Sequence, residues 1–101
     1  MLEKNIKGIN YSLNEETLTA EVIEQKNGYD GDIIIPETTV FNEVSYRVTS
    51  IGKRAFEDCS SLTSIAFNGT KTQWKEIKLG DGWNNKVLAK FIHCTDGDVS
   101  M

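Results

Sequence analysis

The residues best suited to chemistry in this chain lie near its C-terminus. His93 and Cys94 are adjacent, and these are the types that form a thiolate nucleophile and its base. Asp96-Gly97-Asp98 follows, a fragment of the acidic spacing found in calcium loops. Asn68-Gly69-Thr70 fits a glycosylation sequon, and Trp74 and Trp83 offer flat faces for stacking against a sugar. Each has a plainer reading. Neighbours on a strand point to opposite faces, so His93 and Cys94 are badly placed to share a hydrogen bond. The acidic triplet lacks the other ligands and the closing glutamate of a calcium loop, and reads as a turn. Thr70 is positioned to cap a helix, and large aromatics in so small a chain go to the core. No catalytic residue, metal site or cofactor is expected.

Two cysteines, Cys59 and Cys94, and one histidine are too few for a disulfide scaffold or a four-ligand zinc site. Both cysteines read as small buried hydrophobes, with a single pairing between them left open. The 101 residues, 39% apolar and 26% charged, make one folded domain. A net charge of -4 argues against nucleic acid, whose binders carry a basic footprint. No apolar run approaches the ~18 residues of a membrane helix, and the N-terminus lacks the apolar centre of a signal peptide.

The elements that must position these residues are mainly β. Ile9, Tyr11 and Leu13 alternate with polar residues, as do Leu18, Ala20 and Val22 across the turn at Asn14-Glu15-Glu16, which predicts a hairpin. Turn formers from Asn27 to Asp32 lead into Ile33-Ile34-Ile35, a β-branched strand that stops at Pro36. A near-duplication follows. Val48-Thr49-Ser50-Ile51 is echoed fourteen residues on by Leu62-Thr63-Ser64-Ile65, and Gly52, Ala55, Phe56 and Cys59 between them suit a short helical or turn segment. A helix is predicted from about Lys71 to Ile77, with Trp74 and Ile77 on one face. Gly80-Asp81-Gly82 ends it, and Trp83 with Val87 and Leu88 is expected to cover the end of the stack.

Three short strands align at longer range: Ile33-Ile34-Ile35, Ile65-Ala66-Phe67 and Ile92-His93-Cys94. Their outer positions are apolar and face one core, leaving Ile34, Ala66 and His93 as an exposed column on the other side. This column, with Phe91 and Tyr46 nearby, is the candidate binding surface.

The segment Val48-Thr49-Ser50-Ile51-Gly52, Ala55-Phe56, Cys59 and Leu62-Thr63-Ser64-Ile65 resembles the repeat unit of the BspA-like leucine-rich-repeat family of bacterial surface proteins. Phe67-Asn68-Gly69-Thr70, Thr72-Gln73-Trp74, Trp83-Asn84 and Ile92-His93-Cys94-Thr95-Asp96-Gly97 are similar to a recurrent ending of such proteins. Tyr29, Gly31-Asp32-Ile33 and Ile35-Pro36 resemble the strand leading into the first repeat. The resemblance implies a mainly β fold with short helical turns (α/β): a short right-handed leucine-rich-repeat solenoid. It would have a hairpin cap over about 1–28, repeat strands over 29–67 and a helical and loop cap over 68–101. It further implies a non-enzymatic module for adhesion or protein binding, secreted or at the bacterial surface, with host or bacterial surface proteins as partners. A cytoplasmic location stays open because no signal peptide is visible. The alternative is a structural small domain without its own ligand, forming homo-oligomers through open strand edges. Three rungs at about 4.8 Å spacing give a sheet only about 10 Å across, and an interface needs roughly 800 Å² per partner. Loops must therefore contribute.

Overall fold

A computed structural model describes residues 2–26 and 28–101. The expected turn residue Asn27 lies outside the described residues. The chain runs β1 (Leu2–Ile6), β2 (Ile9–Asn14), β3 (Thr19–Val22), β4 (Gly31–Pro36), β5 (Thr38–Phe41), β6 (Val44–Ile51) and β7 (Leu62–Asn68). It continues through the helix α1 (Lys71–Lys75), β8 (Lys78–Leu79), β9 (Phe91–Cys94) and β10 (Gly97–Ser100). Two sheets result. The larger has the order β1-β2-β3-β6-β5, with β8 also paired to β6, and the smaller has the order β10-β9-β7-β4.

The β2–β3 hairpin forms as the alternating pattern predicts, though Leu18 falls in the turn at φ 56° with 47% of its surface exposed. Two further hairpins enlarge the same sheet. Lys7-Gly8 joins β1 to β2 and Asn42-Glu43 joins β5 to β6, each pair at positive φ. Such turns match the right-handed twist of the strands they connect. Apolar alternation does not signal either, because β1 carries Glu3, Lys4 and Asn5 in succession and β5 is only four residues long.

The duplicated tetrapeptide has a specific structural meaning. In the parallel pairing of β3 with β6, Ala20 faces Val48 and Glu21 faces Ser50, so Thr49 is skipped. In the parallel pairing of β4 with β7, Gly31 faces Leu62 and Asp32 faces Ser64, so Thr63 is skipped. Each copy thus carries a one-residue β-bulge at its threonine. The bulge lets apolar residues three apart, rather than two, face the same core. Val48 and Ile51 are buried in one sheet, Leu62 and Ile65 in the other.

Side chains of both sheets meet in one buried cluster. Its aromatic part is a chain of edge and tilted contacts: Tyr29 to Phe56 (5.2 Å), Phe56 to Trp83 (6.1 Å), Trp83 to Trp74 (5.9 Å) and Trp74 to Phe67 (5.5 Å). Turns rather than a helix link the two copies, with Ala55, Phe56 and Cys59 turned inward. Helix α1 begins at Thr70 with a full capping box, in which Thr70 accepts from the Gln73 N–H (3.2 Å) and Gln73 Oε1 accepts from the Thr70 N–H (2.8 Å). Gly80 follows where the chain passes close to another segment, since a Cβ there would collide with the Gly52-Lys53 backbone.

The expected right-handed solenoid is overturned. The two copies of the tetrapeptide enter different sheets, and β1, β5 and β10 fold back antiparallel, so the strands form two mixed sheets without solenoid closure. The radius of gyration is 12.6 Å, against about 13 Å for a compact chain of 100 residues. Leu88 is also misplaced by the sequence reading: it is 61% exposed, while Trp83 is buried.

Candidate functional site

The outer face of the four-stranded sheet is built by β4, β7, β9 and β10. Strands β4 and β9 both pair parallel to β7, with Ile34 opposite Ala66 and Ala66 opposite His93. The three middle residues therefore form one row across the sheet. Their neighbours Ile35, Ile65, Phe67 and Ile92 are buried on the opposite face, while Ile34 is 64% exposed and His93 is open to solvent. Phe91, two residues before His93, points to the same outer face and is 47% exposed.

Asp98 extends the row to a fourth strand, which the sequence reading missed. Strand β10 returns antiparallel over β9 with Asp98 opposite His93, and His93 Nδ1 lies 2.8 Å from Asp98 Oδ1. The available signal was a turn, Thr95-Asp96, between two residues of strand-compatible spacing. The acidic triplet is divided between tasks: Asp96 Oδ1 accepts the Lys71 N–H at the start of α1 (2.8 Å), while Asp98 holds His93. Asp32, opposite Ser64, adds a second carboxylate to this face at the β4 end.

Tyr46 does not belong to the site. It lies on β6 of the other sheet, opposite Thr39, and is 3% exposed. Its aromatic ring is an inward residue of an alternating strand, so burial rather than proximity to the column decides its place.

The His93-Cys94 pair is split as strand geometry requires. His93 turns outward to Asp98, whereas the Cys94 Sγ lies inward, 3.9 Å from the Ile92 carbonyl. Burial pushes the Cys94 thiol pKa up, and Asp96 and Asp98 push it further, against a smaller opposing effect of Lys71. A raised thiol is a poor nucleophile. Cys59 is buried and accepts the Tyr29 N–H at 3.3 Å; neither cysteine is in a disulfide. Trp74 and Trp83 are buried and present no face to a sugar.

Beside β4 runs a groove of about 680 Å³. Its lining includes Ile6, Ile9, Ile33, Ile34 and Val40, with Asp30, Asp32 and Lys7 as its charges. Tyr11 and Tyr29 form part of the same wall. The Tyr29 hydroxyl donates to the Ile23 carbonyl (2.6 Å) and accepts the Asn10 N–H (3.1 Å). Burial pushes both phenols up to about 12, outweighing the hydrogen bonds from Thr39 to Tyr11 and from Asn10 to Tyr29. Both remain neutral hydrogen-bonding groups at ordinary pH.

No protein-family model and no curated protein matches the chain. Its fold is shared with part of a leucine-rich cell surface protein of Faecalibacterium prausnitzii A2-165, at 20% identity and a TM-score of 0.68. That likeness covers 95% of this chain and 24% of the other, so the chain spans about a quarter of that protein's length. At this identity the likeness establishes the fold alone. No helix among the described residues is long and apolar enough to cross a membrane.

Proposed function

We propose that this chain is a non-enzymatic protein-binding module whose contact surface is the outer face of the four-stranded sheet. The observation that carries the reading is the exposure of Ile34 (64%) and Phe91 (47%) on one face, framed by Asp32, His93 and Asp98. Exposed apolar groups on one sheet face, bordered by charge, support reading that face as an interaction surface. One row on the corresponding face of the larger sheet is different: Glu3, Ser12, Glu21, Ser50 and Lys78 lie in register across five strands and make it polar. Four strands span only about 14 Å, so the adjoining loops must add area to reach roughly 800 Å². The likeness to part of a cell surface protein supports an extracellular setting, and in that setting host or bacterial surface proteins are the proposed ligands.

Biolayer interferometry of the immobilised chain against a panel of host matrix proteins and bacterial surface proteins tests this. A binder from the panel should lose about tenfold or more in affinity when Ile34→Ser and Phe91→Ser are combined, with the melting temperature unchanged. Full affinity in that variant, or no binder in the panel, overturns the reading. A concentration-dependent dimer mass in sedimentation, lost on substitutions at the free strand edges, would favour the oligomerising alternative.

A further inference from the structure

We infer that the groove beside β4 accepts an extended, cation-bearing peptide segment that pairs with the free edge of this strand; the inference deepens the binding-module reading and rests on it. Strand β4 ends its sheet, with β7 as its one strand partner among the described residues. Ile33 faces inward and Ile34 outward, yet both line the same groove. Residues of opposite faces share one cavity only where it runs alongside the strand edge rather than over a face. The cavity thus lies where the unpaired amides and carbonyls of β4 project, as in recognition by strand addition.

The dimensions agree. Six residues at about 3.3 Å each present an edge of about 20 Å, and about 680 Å³ falls within the roughly 300–1,000 Å³ range of ligand sites. On the far side, Ile6, Ile9 and Val40 supply apolar walls for alternate side chains of an incoming strand. The charges select the occupant. Asp30 and Asp32 outnumber Lys7, and none of the three is in an ion pair among the described residues. An entering segment with a lysine or arginine at its end meets an uncompensated carboxylate. A second copy offering the same edge would bring its own Asp30 and Asp32, on a chain of net charge -4, so self-pairing is the poorer fit.

The test uses the whole chain and the acetylated, amidated peptide Lys-Val-Thr-Val-Thr-Val-Lys, whose two lysines leave strand direction free. Titration followed by amide NMR should shift residues 32–35 and the groove walls at 6–9 and 38–40, and should slow hydrogen exchange along β4. The same peptide N-methylated at alternate residues loses the donors on one edge and should not bind. The Asp30→Asn, Asp32→Asn double variant should bind the unmodified peptide about three- to tenfold more weakly, and an unchanged amide spectrum outside the groove verifies that it is folded. No shift at millimolar peptide, equal binding of the methylated peptide, or shifts confined to Ala66 and His93 overturns the proposal. A panel ligand that needs Ile34 and Phe91 but is indifferent to the aspartate substitutions would leave the outer-face reading standing while the groove proposal fails.

Discussion

Val48-Thr49-Ser50-Ile51 and Leu62-Thr63-Ser64-Ile65 differ in one residue, meet their parallel partners with the same register shift, and end in different sheets with different neighbours. Around the first copy, the outward residues are polar: Ser50 Oγ donates to Glu21 Oε1 at 2.9 Å, within a row that also holds Ser12 and Lys78. Around the second, Ser64 faces Asp32, and the next outward row along β7 holds Ile34, Ala66 and His93. The shared residues set the inward pair of apolar side chains. The surface is set by whichever strands arrive on either side. A shared rung of sequence can therefore sit in different surroundings in the two sheets.

The largest effects should come from the feature the copies share. Ile51 and Ile65 are both essentially solvent-free, so Ile51→Ala and Ile65→Ala should each cost about 2–5 kcal/mol in urea unfolding. If one is nearly silent, the copies are not equivalent supports and the comparison breaks. The response to alkaline pH should come next in size. The four-stranded sheet has no tyrosine, whereas Tyr11 lies in the larger sheet and Tyr29 in the connection leading to β4. Both phenols have folded-state values pushed from the usual 10 to about 12, so the folded state holds these protons more tightly than the unfolded one. Their contribution is complete below pH 10 and is lost as pH rises from there through about 12. Urea midpoints against pH should fall over that window together with the appearance of tyrosinate absorbance, and Tyr11→Phe should flatten part of the fall. A midpoint constant to pH 12 contradicts the assignment. The smallest difference concerns the matching serines. Ser50→Ala removes the bond to Glu21 and should cost about 0.5–1.5 kcal/mol. Ser64, with no side-chain hydrogen bond among the described residues, should tolerate alanine within about 0.5 kcal/mol. Equal costs would mean that the polar row does not stabilise the first copy.

Much of the candidate surface was legible in the residues because strand alternation is strictly local. Ile33-Ile34-Ile35, Ile65-Ala66-Phe67 and Ile92-His93-Cys94 each specify which side chain faces out, and parallel pairing places Ile34, Ala66 and His93 in one row. The capped helix at Thr70 was legible for the same reason, since its cap spans only the four residues from Thr70 to Gln73. Tyr46 and Leu88 were misread because an apolar side chain shows that it has a preference for burial and not which surface remains to satisfy it. Hairpin β5–β6 depends on two left-handed residues, Asn42 and Glu43, of which glutamate is a poor advertisement for that conformation.

The sequence by itself determined the strand character, the helix cap and the outward set on each strand. These are settled by contacts within a few residues. Only the tertiary structure decided that the two copies part into separate sheets, that Asp98 joins His93, and that β4 is left at an edge beside a groove. Those outcomes turn on which distant strands pair, and on how long-range burial distributes apolar area between Phe56, Trp74 and Trp83 on the inside and Ile34 and Phe91 on the outside.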